Sequence, residues 1–153
     1  MESNRTNVIY AEITKDDFDS WLNMAKLLWQ DSEIDELKEE LNTILYSTTE
    51  KAFIAKNSNH EPIGFANISI RVDYVEGAEK SPTGYLEGIF VNKRYRRQGI
   101  AQGLLKIGEA WLRQNNCTQI GSDTWLTNIE SQKFHTSIGF REEERLVHFL
   151  KNI

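Results

Sequence analysis

Arg96-Arg97-Gln98-Gly99-Ile100-Ala101 puts two guanidinium groups and a glycine where a strand-like run turns into a helical one. The run Tyr85 to Val91 leads into a basic turn, Lys93 to Arg97. Beyond Gly99, Leu104, Leu105, Ile107, Gly108, Trp111 and Leu112 recur at helical spacing. The first N–H groups of a helix point outward without partners, and the helix dipole favours an anion there. Arginines at the same place add charge-assisted hydrogen bonds. The chemistry this suits is the holding of a diphosphate. Two common nucleotide devices are excluded by spacing, since neither Gly-x-Gly-x-x-Gly nor Gly-x-x-x-x-Gly-Lys-Ser/Thr occurs.

The elements around this loop follow from periodicity. Val8 to Ile13 reads as a first strand, and Thr14 with Asp17 resembles a capping box for a helix through Phe18, Trp21, Leu22, Ala25 and Leu28. Ser32 with Asp35 predicts a second start, ahead of Ile34, Leu37, Leu41, Ile44 and Leu45. Strands are expected over Ala52 to Ala55 and Ile63 to Tyr74, separated by a turn, Asn57 to Pro62. After the loop and its helix come a strand, Thr118 to Asp123, a helix, Asn128 to Ser137, and a last strand, Arg145 to Lys151. The order is β-α-α-β-β-β-α-β-α-β. It predicts one α/β (α+β) domain over residues 1–153, with antiparallel strands early and a β-α-β crossover in the middle.

Composition narrows the class. The 153 residues are 39% hydrophobic, enough for a folded core, and the net charge is −5. Six acids lie between Asp31 and Glu40 against one lysine, Lys38. An acidic surface opposes nucleic-acid binding and draws small cations. No run approaches the roughly 18 apolar residues of a membrane helix. The N-terminus lacks the basic-then-apolar pattern of a signal peptide, so a cytoplasmic protein with no membrane partner is expected. Cys117 is the sole cysteine, which excludes an internal disulfide, and no cluster has metal-ligand spacing, so no metal is expected.

The Arg/Gln-x-x-Gly-x-Gly/Ala pattern at residues 96–101 resembles the coenzyme A loop of the GNAT superfamily of N-acetyltransferases. Phe134 to Phe140, Phe-His-x-x-x-Gly-Phe, is similar to that superfamily's second signature. The order of elements agrees along essentially the whole chain. The resemblance implies the GNAT fold: a mixed, mostly antiparallel sheet with a β-α-β core that binds acetyl-CoA. It implies that Ile89, Phe90 and Val91 pair their backbones with the pantetheine arm. It also implies that the N–H groups of Arg97, Gln98, Gly99, Ile100, Ala101 and Gln102 hold the pyrophosphate. Asn128 would meet the pantetheine end; as a plain N-cap it would serve equally well.

Three features resemble the aminoglycoside 6'-N-acetyltransferases more narrowly: Leu86 to Val91 with Ser122 to Thr124, the block Gly64 to Gly77, and the acidic surface from Trp29 to Glu40. An aminoglycoside is a polycation of small sugar rings, which suits carboxylates and aromatic faces. The resemblance implies that Glu87 binds the acceptor amine or takes its proton, with Asp123 as second candidate. Trp29 and Tyr74 would flank a sugar ring or simply pack in the core, and Glu144, one of three adjacent glutamates within Arg141 to Arg145, would meet the antibiotic. Transfer would be direct, with a carboxylate taking the amine's proton and an N–H near Ile89 polarising the thioester carbonyl. Many members carry a tyrosine four residues before Gly139 as general acid; here that position is His135, which leaves His135, a water or no acid at all as the alternatives. Cys117 has no histidine neighbour in sequence and reads as structural. The alternative acceptors are a polyamine and a protein or peptide amine. Family members are often dimers, and Leu146 to Ile153 could supply the strand edge for a homodimer.

Overall fold

A computed structural model describes residues 7–153; most of the stretch read for a signal peptide, residues 1–6, lies outside them. The elements are β1 (Ile9–Glu12), α1 (Phe18–Leu28), α2 (Ile34–Leu45), β2 (Glu50–Lys56), β3 (Pro62–Arg71), β4 (Thr83–Val91), α3 (Ile100–Gln114), β5 (Ile120–Gly121) and α4 (Ile129–Ser137). Short 3-10 turns, Lys15–Asp17 and Lys93–Tyr95, precede α1 and follow β4. The five strands lie in sequence order in one sheet. The first four pair antiparallel, and β5 pairs parallel with β4 across the α3 crossover. This is the mixed, mostly antiparallel sheet that the order of elements predicts.

Alternation along the central strands divides the core into two layers. Ala52, Ile54 and Phe65 pack with Trp21, Met24 and Ala25 of α1 and Leu37, Leu41 and Ile44 of α2. Phe53, Ala55, Ala66 and Ile68 pack on the other face with Ile100, Leu104 and Leu112 of α3. One polar bond crosses the first layer. The Trp21 indole N–H donates to Asn67 Oδ1 at 3.2 Å, both groups buried.

The Thr14–Asp17 box forms: the Asp17 carboxylate accepts from the Thr14 N–H at 3.0 Å and its hydroxyl at 3.2 Å, and pairs with Lys56 at 2.6 Å. The Ser32–Asp35 box does not. Helix α2 starts behind Glu33 with no side-chain cap, and the Ser32 carbonyl accepts from Lys26 instead. The expected strand Thr118 to Asp123 shortens to Ile120–Gly121. The expected strand Arg145 to Lys151 is absent, because a strand needs a ladder and none is offered to this segment among the described residues. Leu146, Val147, Phe149 and Leu150 are left exposed.

Candidate active site

The site begins with a slip in pairing. Asn67 of β3 faces Gly88 of β4, and Ile68 faces Leu86, so Glu87 has no partner in the ladder. Such a bulge re-aims the extra side chain. Here the Glu87 carboxylate meets β3 itself: the Ser69 hydroxyl donates to it at 2.6 Å, and Arg71 Nη2 reaches both oxygens, at 2.9 and 3.0 Å. The Arg71 guanidinium also lies 3.4 Å from the centre of the Tyr85 ring. The Tyr85 hydroxyl in turn donates to Asp123. Burial, then the hydrogen bond and charge of Asp123, hold the Tyr85 hydroxyl well above its ordinary pKa. Glu87 and Asp123, far apart in sequence, are thus joined through Arg71 and Tyr85.

A cavity of about 460 Å³ opens beside Glu87, lined by Trp29, Ser32, Glu40, Glu50, Asn67 and Glu87. Trp29 caps the C-terminus of α1 and lays its indole on β4, where a Cβ at Gly88 would sit 2.4 Å from the ring. The same indole stands 5.9 Å from the Phe65 ring, so it packs on the core and lines the cavity at once. Sequence reasoning missed Glu50. The burial of its carboxyl, then the charges of Glu87 and Glu40, opposed by Arg71, push its pKa up to about 7. A charged residue at the mouth of a buried strand reads only as a boundary. Arg71 was missed too, although Asn67, Ser69 and Arg71 alternate onto one face.

The second half of the site follows from the shortness of β5. It pairs only with Gly84 and Tyr85, which leaves the outer edge of β4 from Leu86 to Val91 without a strand among the described residues. Ile89, Phe90 and Val91 lie half-buried on that open edge. Arg96 folds back to donate to the Val91 carbonyl at 2.9 Å. Arg97 and Gly99 both take left-handed backbone, with φ of 61° and 80°. The first bond of α3 runs from Gly103 N–H to the Gly99 carbonyl at 3.1 Å, so the N–H groups of Ile100, Ala101 and Gln102 have no helical acceptor. A Cβ on Gly99 would meet nothing within 4 Å, so the space before these groups is open. Gln98 donates to the Arg94 carbonyl at 3.4 Å.

The remaining candidates stand apart from the cavity. Asn128 is the N-cap of α4, accepting from Ser131 N–H at 3.1 Å. Tyr74 is 79% exposed on the loop between β3 and β4. Glu144 lies in the exposed C-terminal segment, whose neighbouring Glu143 packs against Gly77 of that same loop. His135 is engaged at both ring nitrogens, with Nδ1 2.7 Å from the Ser131 carbonyl and Nε2 2.7 Å from the Ser122 hydroxyl. A carbonyl only accepts, so Nδ1 carries a proton towards Ser131. Cys117 is buried and free, and burial raises its thiol pKa.

A bulged strand with an open edge, followed by an anion cradle at a helix N-terminus, fits one class of fold. The model of the Acetyltransferase (GNAT) family matches residues 14–140, and the chain belongs to that family. Two aminoglycoside N(6')-acetyltransferases type 1 align over most of it. The protein of Serratia marcescens is 37% identical over 138 residues, 90% of this chain and 94% of its own. That of Acinetobacter haemolyticus is 41% identical over 133 residues, 87% of this chain and 90% of its own. Among solved structures, the aminoglycoside 6'-N-acetyltransferase of Acinetobacter baumannii superposes with a TM-score of 0.91, at 37% identity over 96% of this chain and 99% of its own. AAC(6')-Iy, bound to the bisubstrate analog CoA-S-monomethyl-acetylneamine, gives 0.91 at 34% identity, over 97% of this chain and 100% of its own. Within the family the chain falls in the aminoglycoside N(6')-acetyltransferase branch.

Proposed function

We propose that the protein transfers an acetyl group from acetyl-CoA to the 6'-amine of aminoglycoside antibiotics in the cytoplasm, conferring resistance. The observation that carries this reading is the cavity itself. Carboxylates of Glu40, Glu50 and Glu87 surround one indole, directly beside the open edge of β4. A polycationic sugar needs such a wall, and a thioester laid along β4 would end next to it.

The donor half fits acetyl-CoA on geometry. Ile89, Phe90 and Val91 would pair with the pantetheine amides along an edge that no strand covers among the described residues, the Val91 carbonyl already accepting from Arg96. The N–H groups from Arg97 to Gln102 would hold the pyrophosphate ahead of α3, a role supported by the open space at Gly99. Asn128, the N-cap of α4, would meet the pantetheine end. The acceptor half uses Glu87, fixed by Arg71 and Ser69, to receive the ammonium group, and the Trp29 face to carry a ring. Asp123, bonded to Tyr85, is the second carboxylate. Tyr74 and Glu144 would close on the antibiotic from the loop and C-terminal segment that meet at Gly77. A backbone N–H near Ile89 polarises the thioester carbonyl, and no step requires a metal.

The test is turnover with acetyl-CoA and a panel of aminoglycosides, comparing a free 6'-amine with analogues substituted at that position. Acetylation of the first group alone, with NMR locating the acetyl on the 6' nitrogen, is the expected result. Failure to acetylate any 6'-amino compound overturns the reading. We also infer a homodimer. Residues 141–153 present exposed apolar side chains with no ladder of their own, which supports association of two copies there.

A further inference from the structure

Of the carboxylates around the Trp29 cavity, Glu87 is already engaged. Arg71 spans both its oxygens, and Ser69 donates to one of them. It faces the cavity as half of an ion pair. Glu40 rides the exposed face of α2 and keeps its solvent. Glu50 differs from both. It opens β2 opposite Ser69 in the register, on the sheet face that carries Asn67 and the Glu87–Arg71 pair. It is half-buried, and among the described residues its carboxylate has no hydrogen bond or ion pair, Arg71 acting on it only at longer range. Its backbone alone is tied, the N–H donating to Ser47 Oγ at 3.1 Å. Partial burial of an unpaired carboxylate is costly, and the cost is relieved by a proton or by a cation brought from outside.

We propose that Glu50 accepts the proton released by the acceptor's ammonium group, while the Glu87–Arg71 pair positions that group. The inference rests on the acceptor reading above. The charged groups facing Glu50 are Glu40 from α2, Glu87 from β4 and Arg71 from β3, and with burial they place its titration at about 7. That is where a general base serves best near neutral pH. An ammonium arriving beside it favours the charged carboxylate, so the base is ionised when the substrate is bound.

The step balances as follows. One ammonium proton passes to the Glu50 carboxylate, directly or through one water. The freed lone pair forms the N–C bond to the acetyl carbonyl, the C–S bond breaks, and its electron pair leaves on the thiolate. The thiolate takes a second proton from the nitrogen, and Glu50 returns the first to solvent.

The experiment compares Glu50→Gln, Glu50→Asp and the unsubstituted enzyme by kcat/KM for a 6'-amino aminoglycoside at saturating acetyl-CoA, from about pH 5.5 to about pH 9. The unsubstituted enzyme should show an ascending limb near neutrality. Glu50→Gln should lose that limb and fall about 100-fold in kcat/KM, with KM for acetyl-CoA unchanged, and Glu50→Asp should restore part of both. A Glu50→Gln enzyme within about threefold of the original, or one that is slower with the limb intact, overturns the role of Glu50 while leaving the acceptor reading standing. No turnover by the unsubstituted enzyme overturns both.

Discussion

At the scale of single residues, Arg71 sets the charge of the site. Its guanidinium holds Glu87 at 2.9 and 3.0 Å and covers Tyr85 at 3.4 Å, so one side chain orients the groups leading to both predicted carboxylates. Arg71→Gln leaves Glu87 with Ser69 as its remaining donor among the described residues and removes the positive charge that offsets Glu87 and Glu40 at Glu50. Hydrogen bonds to charged groups are worth about 1.5–3 kcal/mol, so kcat/KM for the aminoglycoside should fall about 10- to 100-fold. The KM for acetyl-CoA should stay unchanged, because Arg71 lies on the acceptor side; steady-state kinetics in both substrates checks this. Glu50 makes a second prediction, on stability. Its carboxyl titrates at about 7 in the fold against an ordinary 4.5, so the folded state binds this proton more tightly. Its contribution to stability is fully present below about pH 4.5 and is lost as pH rises through about 7. Glu50→Gln escapes that loss. Relative to the unsubstituted protein, its denaturation midpoint should rise from pH 5 to pH 8, and a constant difference contradicts the shift.

At the scale of elements, two glycines separate the halves of the site. Gly88 makes room for the Trp29 indole against β4, and Gly99 gives the left-handed turn before α3 with open space above it. Gly88→Ala places a methyl group 2.4 Å from the ring and must displace Trp29. It should raise KM for the aminoglycoside and leave that for acetyl-CoA alone. Gly99→Ala meets no atom, yet an alanine at φ of 80° is strained by about 1 kcal/mol. It should act the other way, raising KM for acetyl-CoA. The two variants assayed side by side give the check. A third element-level test concerns the tie between α1 and β3: Trp21→Phe leaves Asn67 buried without its donor, a loss of about 1–3 kcal/mol in urea denaturation.

The same elements show what sequence reveals. Helices α1 and α3, strands β2 and β3 and the loop at Arg96 were legible because periodicity, turns and helix starts are local signals. The Glu87 bulge was not, since it exists only in the pairing of β4 with β3. Glu50 was missed for the same reason: its carboxyl is defined by neighbours on α2, β3 and β4. The Ser32–Asp35 box failed because α2 starts one residue later, behind Glu33, so neither side chain stands at its capping position.

At the scale of the whole molecule, the C-terminal segment leaves apolar side chains uncovered. Leu146 to Lys151 carries a strand's composition, and among the described residues it has no strand to join. Leu146, Val147, Phe149 and Leu150 remain 69–89% exposed as a result. Burying side chains of this kind yields about 1.5–3 kcal/mol each, enough for several together to hold two copies against the entropy of association. Charge opposes this, because each copy carries −5. Salt screens like charges within a Debye length of about 10 Å at 0.1 M, so dimerisation should strengthen as salt is raised. Sedimentation of the full chain should show a dimer that persists at high salt. Phe149→Asp with Leu150→Asp should give a monomer, the native fold retained by circular dichroism. Glu144 lies in the same segment, so the monomer should also show a raised KM for the aminoglycoside and an unchanged KM for acetyl-CoA. A double variant that stays dimeric, or a full chain that is monomeric at every salt concentration, removes the C-terminal segment from the assembly.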